Sequence, residues 1–316
     1  MHFIPWDNRK RESEPRQGRP LIVSPINFCL LQMIKRSTFQ LLRIHFSFFL
    51  MPVYWFAISQ IEHKNWPRAI LIFIILHLLV YPASNGYNSY MDRDQGSIGG
   101  LKNPSLPTRQ LFWISLGMDI AAVCLGLFIS PYFTAGLTAY ILASRAYSYR
   151  GIRLKSHPVT GYLTVVLFQG ALTFFLVYHG AQYGLTLNVP PEGMLASSLL
   201  VGGFYPLTQI YQHEADLKDG VKTISYLLGY RGTFVYAALV YSLAFGVLSY
   251  YLLSSLEINE FFVLATAMIP VIVYFLIWAA QVWKDKSKAD YEHTMRMNII
   301  AATCTNLGFI AVQVMQ

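Results

Sequence analysis

The sequence is poor in charge. Only 13% of its 316 residues are Asp, Glu, Lys or Arg, against about 25% in ordinary soluble domains. With 54% hydrophobic residues and a mean hydropathy of +0.41, that shortage argues against a water-soluble globule and for lipid as the solvent. Cysteine is scarce too. Cys29, Cys124 and Cys304 lie far apart, in neither metal-ligand spacing nor a disulfide framework, and read as small core residues. No GxxxxGK[ST] phosphate loop is present. The first 37 residues hold no apolar run followed by a small-residue cleavage site. They are polar and basic, and the expectation is a cytoplasmic tail over 1–37 ahead of a membrane domain over 38–316.

What is abundant is long apolar runs. A helix needs about 20 apolar residues to cross the hydrocarbon. Nine segments qualify, at roughly 39–60, 68–91, 109–130, 132–149, 158–181, 193–215, 232–254, 259–283 and 295–315, separated by Pro, Gly and charge. The fold class expected is therefore all-α, a polytopic bundle of about nine transmembrane helices. Of the 24 Lys and Arg residues, all but Lys64 and Arg68 fall on the side shared by the N-terminus and loops 2–3, 4–5, 6–7 and 8–9. This asymmetry places that side in the cytoplasm, in the inner membrane if the protein is bacterial. The same distribution accounts for the net charge of +8 without nucleic acid, because no contiguous basic face results.

The end of span two repeats at the end of span six. Tyr81-Pro82, Tyr87, Asp92 and Gly96 recur as Tyr205-Pro206, Tyr211, Asp216 and Gly220, and Asn85 and Asn88 recur as Gln209 and Gln212. The offset is 124 residues throughout, four helices, so both copies emerge on the same side. The simplest account is a pseudo-duplicated four-helix unit plus a ninth helix. Asn85, Asn88 and Asp92 share one helix face, and Gln209, Gln212, Asp216 and Asp219 are read the same way. Five of the 16 acidic residues (Asp92, Asp94, Glu214, Asp216, Asp219) fall in these two windows. Acids in so apolar a chain are costly unless paired or metal-bound, and Mg²⁺ commonly bridges one or two carboxylates to phosphate. The metal-side candidates are Asn88, Asp92, Asp94, Gln212, Asp216 and Asp219. Capping of helix ends by short polar residues is the plain alternative. Cations follow each motif: Lys102 beyond Gly99-Gly100, Lys222 beyond Gly220, and Arg150, Arg153 and Lys155 in loop 4–5. Each suits a phosphate oxygen and each also serves the charge bias.

These motifs resemble the UbiA superfamily of intramembrane prenyltransferases over nearly the whole chain, about 37–315. Asn88-xxx-Asp92 matches the start of that family's first motif, with Gly96 where a final Asp is usual. Asp216-Leu-Lys-Asp219-Gly220-Val-Lys222-Thr223 resembles the ending of the second, with Gln212 in place of an earlier Asp. Tyr147-Ser148 and Lys155 resemble its loop 4–5 element. The resemblance implies Mg²⁺-dependent transfer of an isoprenoid from an allylic prenyl diphosphate to an aromatic or otherwise lipophilic acceptor of unread identity, as in quinone-type lipid biosynthesis. Asn88, Asp92, Asp216 and Asp219 would then be catalytic. Lys102, Lys155, Lys222, Arg150, Arg153 and Tyr147 would bind the diphosphate end, and Tyr87, Tyr147 and Tyr211 would face the allylic cation. Two other readings stay open: a secondary transporter, and a catalytically impaired relative that binds prenyl lipids. Asp119, mid-span, is either functional or part of an interhelical hydrogen bond. His45 and His77 read as core residues, and His213 as a residue near the second motif.

Overall fold

The computed structural model describes residues 34–94, 96–254 and 258–315. Cys29 and the expected tail up to residue 33 lie outside them. The described residues are helical and form no strand. In chain order the helices are α1 (Arg36–Ser59), α2 (Trp66–Asp92), α3 (Arg109–Gly126), α4 (Pro131–Ser148), α5 (Pro158–Ala181), α6 (Pro191–Gln209), the short α7 (His213–Lys218), α8 (Ile224–Ser254), α9 (Ile258–Lys284) and α10 (Tyr291–Met315). Proline stands in the first turn of α2, α4, α5 and α6, where its missing N–H costs nothing. Asn65 and Ser130 cap α2 and α4 by accepting from Arg68 N (3.1 Å) and Phe133 N (2.9 Å).

Six of these helices, α1, α2, α5, α8, α9 and α10, are long and apolar enough to cross a membrane. The chain is accordingly a multi-pass membrane protein. Helices α3, α4 and α6 occupy the places expected for spans three, four and six but fall outside that measure. Their composition explains it: α3 holds Arg109 and Asp119, α4 holds Arg145, and α6 is rich in Gly and Ser. The small residues of α6 permit close packing. A Cβ on Gly170 of α5 would lie 2.5 Å from Ser198 Cα of α6.

Several helices are interrupted, and the break at Arg43 lies at the cavity described below. Arg43 is left-handed (φ 46, ψ 48), so α1 breaks and resumes through the 3₁₀ stretch Ile44–Leu50. In α2 a π-helical stretch, Ile74–Val80, runs up to Pro82. Proline lacks an N–H and crowds the carbonyl four residues back, which accounts for the loosened turn. Gly229 (φ 66, ψ 175) kinks α8, a conformation that glycine adopts without strain.

Two buried clusters flank the centre. One is built mainly from α1, α2, α4 and α5, with residues from α3, α6, α8, α9 and α10, around Phe56, which packs on Phe174 and on Phe309 of α10 at ring distances of 5.0 and 4.8 Å. The other joins α6, α8, α9 and α10 around Trp278, edge-on to Phe234 at 4.8 Å. A third, small cluster of Leu41, Leu42, Ile98 and Leu111 seats the loop after α2 against α1 and α3.

Candidate active site

A cavity of about 690 Å³ lies between the two large clusters. Its mouth gathers Asp92 and Asp94 from the first motif, Asp216 and Asp219 from the second, and Lys155 from loop 4–5. The interior beyond is lined mainly by apolar and aromatic side chains, among them Phe168, Phe204, Tyr241, Met268, Phe275 and Phe309. Ser242 and Phe245 of α8 and Ile272 and Leu276 of α9 line the cavity and are also exposed.

The first motif reaches the mouth on the uninterrupted α-helical segment of α2 from Tyr81 to Asp92. α2 stops after Asp92 because Arg93 turns left-handed (φ 56, ψ 41). Asp92 is buried and salt-bridged to Lys155 Nζ, with Arg153 4.0 Å from its second oxygen. Asn88 accepts from Ser148 Oγ (2.8 Å). The second motif is built differently. α6 ends at Gln209, a 3₁₀ turn covers Ile210–Gln212, and α7 follows, so the single helix face read for residues 209–219 does not form. Asp219 follows α7, where Arg153 clamps it and Arg150 approaches at 3.5 Å. Arg150 also donates to the Met91 carbonyl (2.8 Å), tying the two motifs together.

The acids crowd one another. Burial pushes the Asp216 carboxyl up to about 7; Lys155 pulls the other way, and Asp94 and Asp92 add to the rise. Burial, then the charge of Asp92, raises Asp94 as well. Such a mouth favours added positive charge. Among the described residues no group of three acids, His or Cys is close enough to hold an ion unaided. The carboxylates that line the mouth, Asp92, Asp94, Asp216 and Asp219, are oxygen donors of the kind Mg²⁺ takes, and they would hold it together with water and substrate phosphate rather than alone.

The other candidates divide. Tyr147 lines the cavity and hydrogen-bonds Tyr205, and Tyr211 lines it beside Tyr291. Gln212 lines it while its amide donates to Ser97 O (3.2 Å), pinning the loop after α2. Lys102 and Lys222 do not line it. Lys102 pairs with Glu292 at the surface (2.9 Å), and Lys222 is exposed, as is Glu214. Tyr87 instead lies under the Arg145 guanidinium, 4.2 Å away. Asp119 is the interhelical partner of Arg145, which also donates to Ala83 O (3.4 Å). Gly99 and Gly100 pack on Phe46 and His45, and a Cβ on Gly99 would meet the Phe46 ring at 2.7 Å. His45 is exposed and bonds Gly100 O (3.2 Å), whereas His77 is fully buried among Tyr54, Phe73 and Tyr81. His213 sits behind the site on Ser225 Oγ (2.8 Å).

Arg43 is the residue that motif reasoning passed over. It is buried, lines the cavity, and donates to the carbonyls of Gly99 (3.0 Å) and Asn85 (3.4 Å). Its signal in the sequence was an arginine inside an apolar span.

The profile of the UbiA prenyltransferase family matches residues 49–300. The chain belongs to that family. The bacteriochlorophyll synthase 33 kDa chain of Cereibacter sphaeroides is 26% identical over 174 residues, 52% of this chain. The match spans about half, 56%, of that relative's length. A UbiA homolog from Archaeoglobus fulgidus, solved with DMAPP and Mg²⁺, superposes with a TM-score of 0.65 at 19% identity, covering 89% of this chain and 100% of that one. A structure of digeranylgeranylglyceryl phosphate synthase gives 0.58 at 18%, covering 89% and 98%. An apo UbiA homolog from Aeropyrum pernix K1 gives 0.63 at 16%, covering 85% and 98%. At these identities the structural likeness is one of fold.

Proposed function

We propose that this UbiA-family chain transfers an isoprenoid group from an allylic prenyl diphosphate to a lipophilic acceptor inside the bilayer, with Mg²⁺ as cofactor. The observation that carries the reading is a single cavity whose mouth collects the acids of both motifs and Lys155 while its interior is apolar. The named ligands of the Archaeoglobus homolog, DMAPP and Mg²⁺, agree with it.

In this reading Asn88, Asp92, Asp94, Asp216 and Asp219 hold the metal side and Gln212 keeps the loop above them in place. Bound Mg²⁺ would neutralise charge developing on the departing diphosphate. Lys155 and Arg43 bind phosphate oxygens at the mouth, with Arg150 and Arg153 leaving Asp219 to join them. The donor C1–O bond breaks and the diphosphate keeps its electron pair. The acceptor's nucleophilic atom bonds to C1, and the proton it sheds passes to the diphosphate. Tyr147 and Tyr211 present π faces to the positive carbon, and the apolar wall excludes water. The isoprenoid tail runs from the mouth towards the α8–α9 seam, where cavity-lining residues are exposed. The same reading takes α3, α4 and α6 as spans that complete a nine-helix bundle, with an N-terminal basic tail and the motif ends on the cytoplasmic side. The 124-residue offset is the trace of duplication.

The test is diphosphate release from geranylgeranyl diphosphate by purified protein in nanodiscs, with mass spectrometry of the lipid product. Release that needs Mg²⁺ and stops with EDTA is expected. No release from donors of any chain length, beside normal binding of them, would mean an impaired lipid-binding relative.

A further inference from the structure

Asn298 belongs to neither motif, yet it lines the cavity. It lies on α10 seven residues beyond Tyr291, about 10 Å along the helix, between Met297 and the wall formed by Ala301 and Thr305. The residue is 1% exposed. The Oδ1 atom has no hydrogen-bond partner, and Nδ2 reaches only Met295 Sδ at 4.0 Å, a long contact to a weak acceptor. A buried amide left this way is costly, and native structures pair such groups. Unlike the buried unpaired atoms of His77, Ser115 and Ser197, whose residues do not line the cavity, Asn298 stands where a ligand group would supply the pairing.

The prenyl donor cannot supply it. Its polar atoms all belong to the diphosphate, which the acids and cations hold at the mouth; its tail is hydrocarbon. The charged residues among the described cavity lining are Arg43, Asp92, Asp94, Lys155, Asp216 and Asp219. None stands beside Asn298 on α10, so nothing there balances a charged ligand group. Apolar side chains, Met268, Val271 and Phe275 of α9, complete the wall.

The geometry points to Asn298 as a specificity-determining residue for the acceptor: its Oδ1 accepts from an uncharged hydroxyl of a lipophilic alcohol or phenol lodged against α9 and α10. This deepens the transfer reading above and rests on it. The donor then occupies the mouth and the route to the α8–α9 seam, and the acceptor approaches from the α10 side.

The test is equilibrium binding of two probes to the full chain in nanodiscs, corrected for empty nanodiscs. The probes are 1-naphthol and 1-methoxynaphthalene, which differ in the hydroxyl donor. Wild-type protein is expected to bind 1-naphthol at least about fivefold more tightly, and Asn298→Leu to bring the ratio within about twofold of unity. Asn298→Ser, smaller and still polar, is expected to give an intermediate ratio and carries the same comparison if the leucine variant does not fold. A wild-type protein that binds neither probe or does not discriminate between them, or a leucine variant that keeps the full preference, overturns the assignment. Mg²⁺-dependent diphosphate release by the wild-type protein is measured separately. Its failure removes the transfer reading, whereas a missing hydroxyl preference removes only Asn298.

Discussion

The two motifs share letters and an offset, but they do not share an environment. Asp92 ends a regular α-helical segment, Tyr81–Asp92, with its side chain 3% exposed, fixed by Lys155. Asp219 follows a helix, a 3₁₀ turn and a second short helix, is 39% exposed, and is held by Arg153. Asp216, the repeat equivalent of Asp92, sits among other carboxylates with its pKa pushed up to about 7 by burial. A repeated sequence therefore places oxygens on two walls of one cavity without making the walls alike. The first wall is one regular helical segment with its acid buried, and the second is jointed with its last acid partly open to solvent.

That difference is testable by truncating one acid on each wall. Asp92→Ala is expected to have the largest effect, about a 10³-fold loss of diphosphate release, the scale of deleting a preorganised electrostatic group. It also strands Lys155 without its partner. Asp219→Ala, on the open wall, is expected to cost about 10²-fold, since water and the neighbouring Asp216 replace part of its role. Equal losses in the two variants would erase the distinction between walls, and a larger loss at Asp219 would reverse it. Both proteins should insert and purify as the wild type does.

A third substitution asks what braces the first wall. Arg145 on α4 is paired with the buried Asp119 of α3, covers the Tyr87 ring, and reaches the Ala83 carbonyl on α2. Three helices are thus tied behind Asn88 and Asp92. Arg145→Met leaves Asp119 buried without its partner, a change that costs about 3 kcal/mol or more in buried pairs, and small displacements of positioned groups reduce rate. The expectation is a lower melting temperature and roughly a tenfold fall in kcat. The double variant Asp119→Leu/Arg145→Met, which strands no charge, should recover much of the lost stability. If the double variant melts no higher than the single one, the ion pair is not what braces this wall.

How far the sequence carried this description depends on the kind of signal. Hydropathy runs are additive over 20 residues, so the helix positions in the structure follow them closely, including α3, α4 and α6, whose polar residues lower their mean. Helical period placed Asn85, Asn88 and Asp92 correctly, because nothing interrupts α2 between them. The same arithmetic failed for residues 209–219, where the 3₁₀ turn at Ile210–Gln212 shifts the phase. Partners on different helices were not legible: no spacing rule links Asp119 to Arg145, or separates Lys155, which enters the cavity, from Lys102, which does not. Arg43 was hidden for a related reason. It was one more basic residue in a one-sided charge distribution until the left-handed break in α1 turned it inward. Asn298, in an unremarked stretch of α10, carried no motif at all.

The smallest effect should come from the cations that follow the motifs on the outside. Lys102 trails the first motif and Lys222 the second, although the 124-residue offset does not pair them: it sets Lys102 against Tyr226 and Lys222 against Ile98. If phosphate binding used every cation that follows a motif, both would matter. Neither lines the cavity: Lys102 is engaged by Glu292 at the surface, and Lys222 is exposed. An exposed ion pair contributes about 0–1 kcal/mol, so Lys102→Ala is expected to leave the donor KM and kcat within about twofold of wild type, and Lys222→Ala likewise. Lys155→Met, which removes the cation inside the mouth, should raise the donor KM by tenfold or more on the same assay, from the loss of a charge-assisted bond to phosphate. A tenfold KM rise for Lys102→Ala or Lys222→Ala would mean that the loops fold inward when the donor binds, bringing those lysines onto the phosphate, and the division between inner and outer cations would then hold only for the free protein.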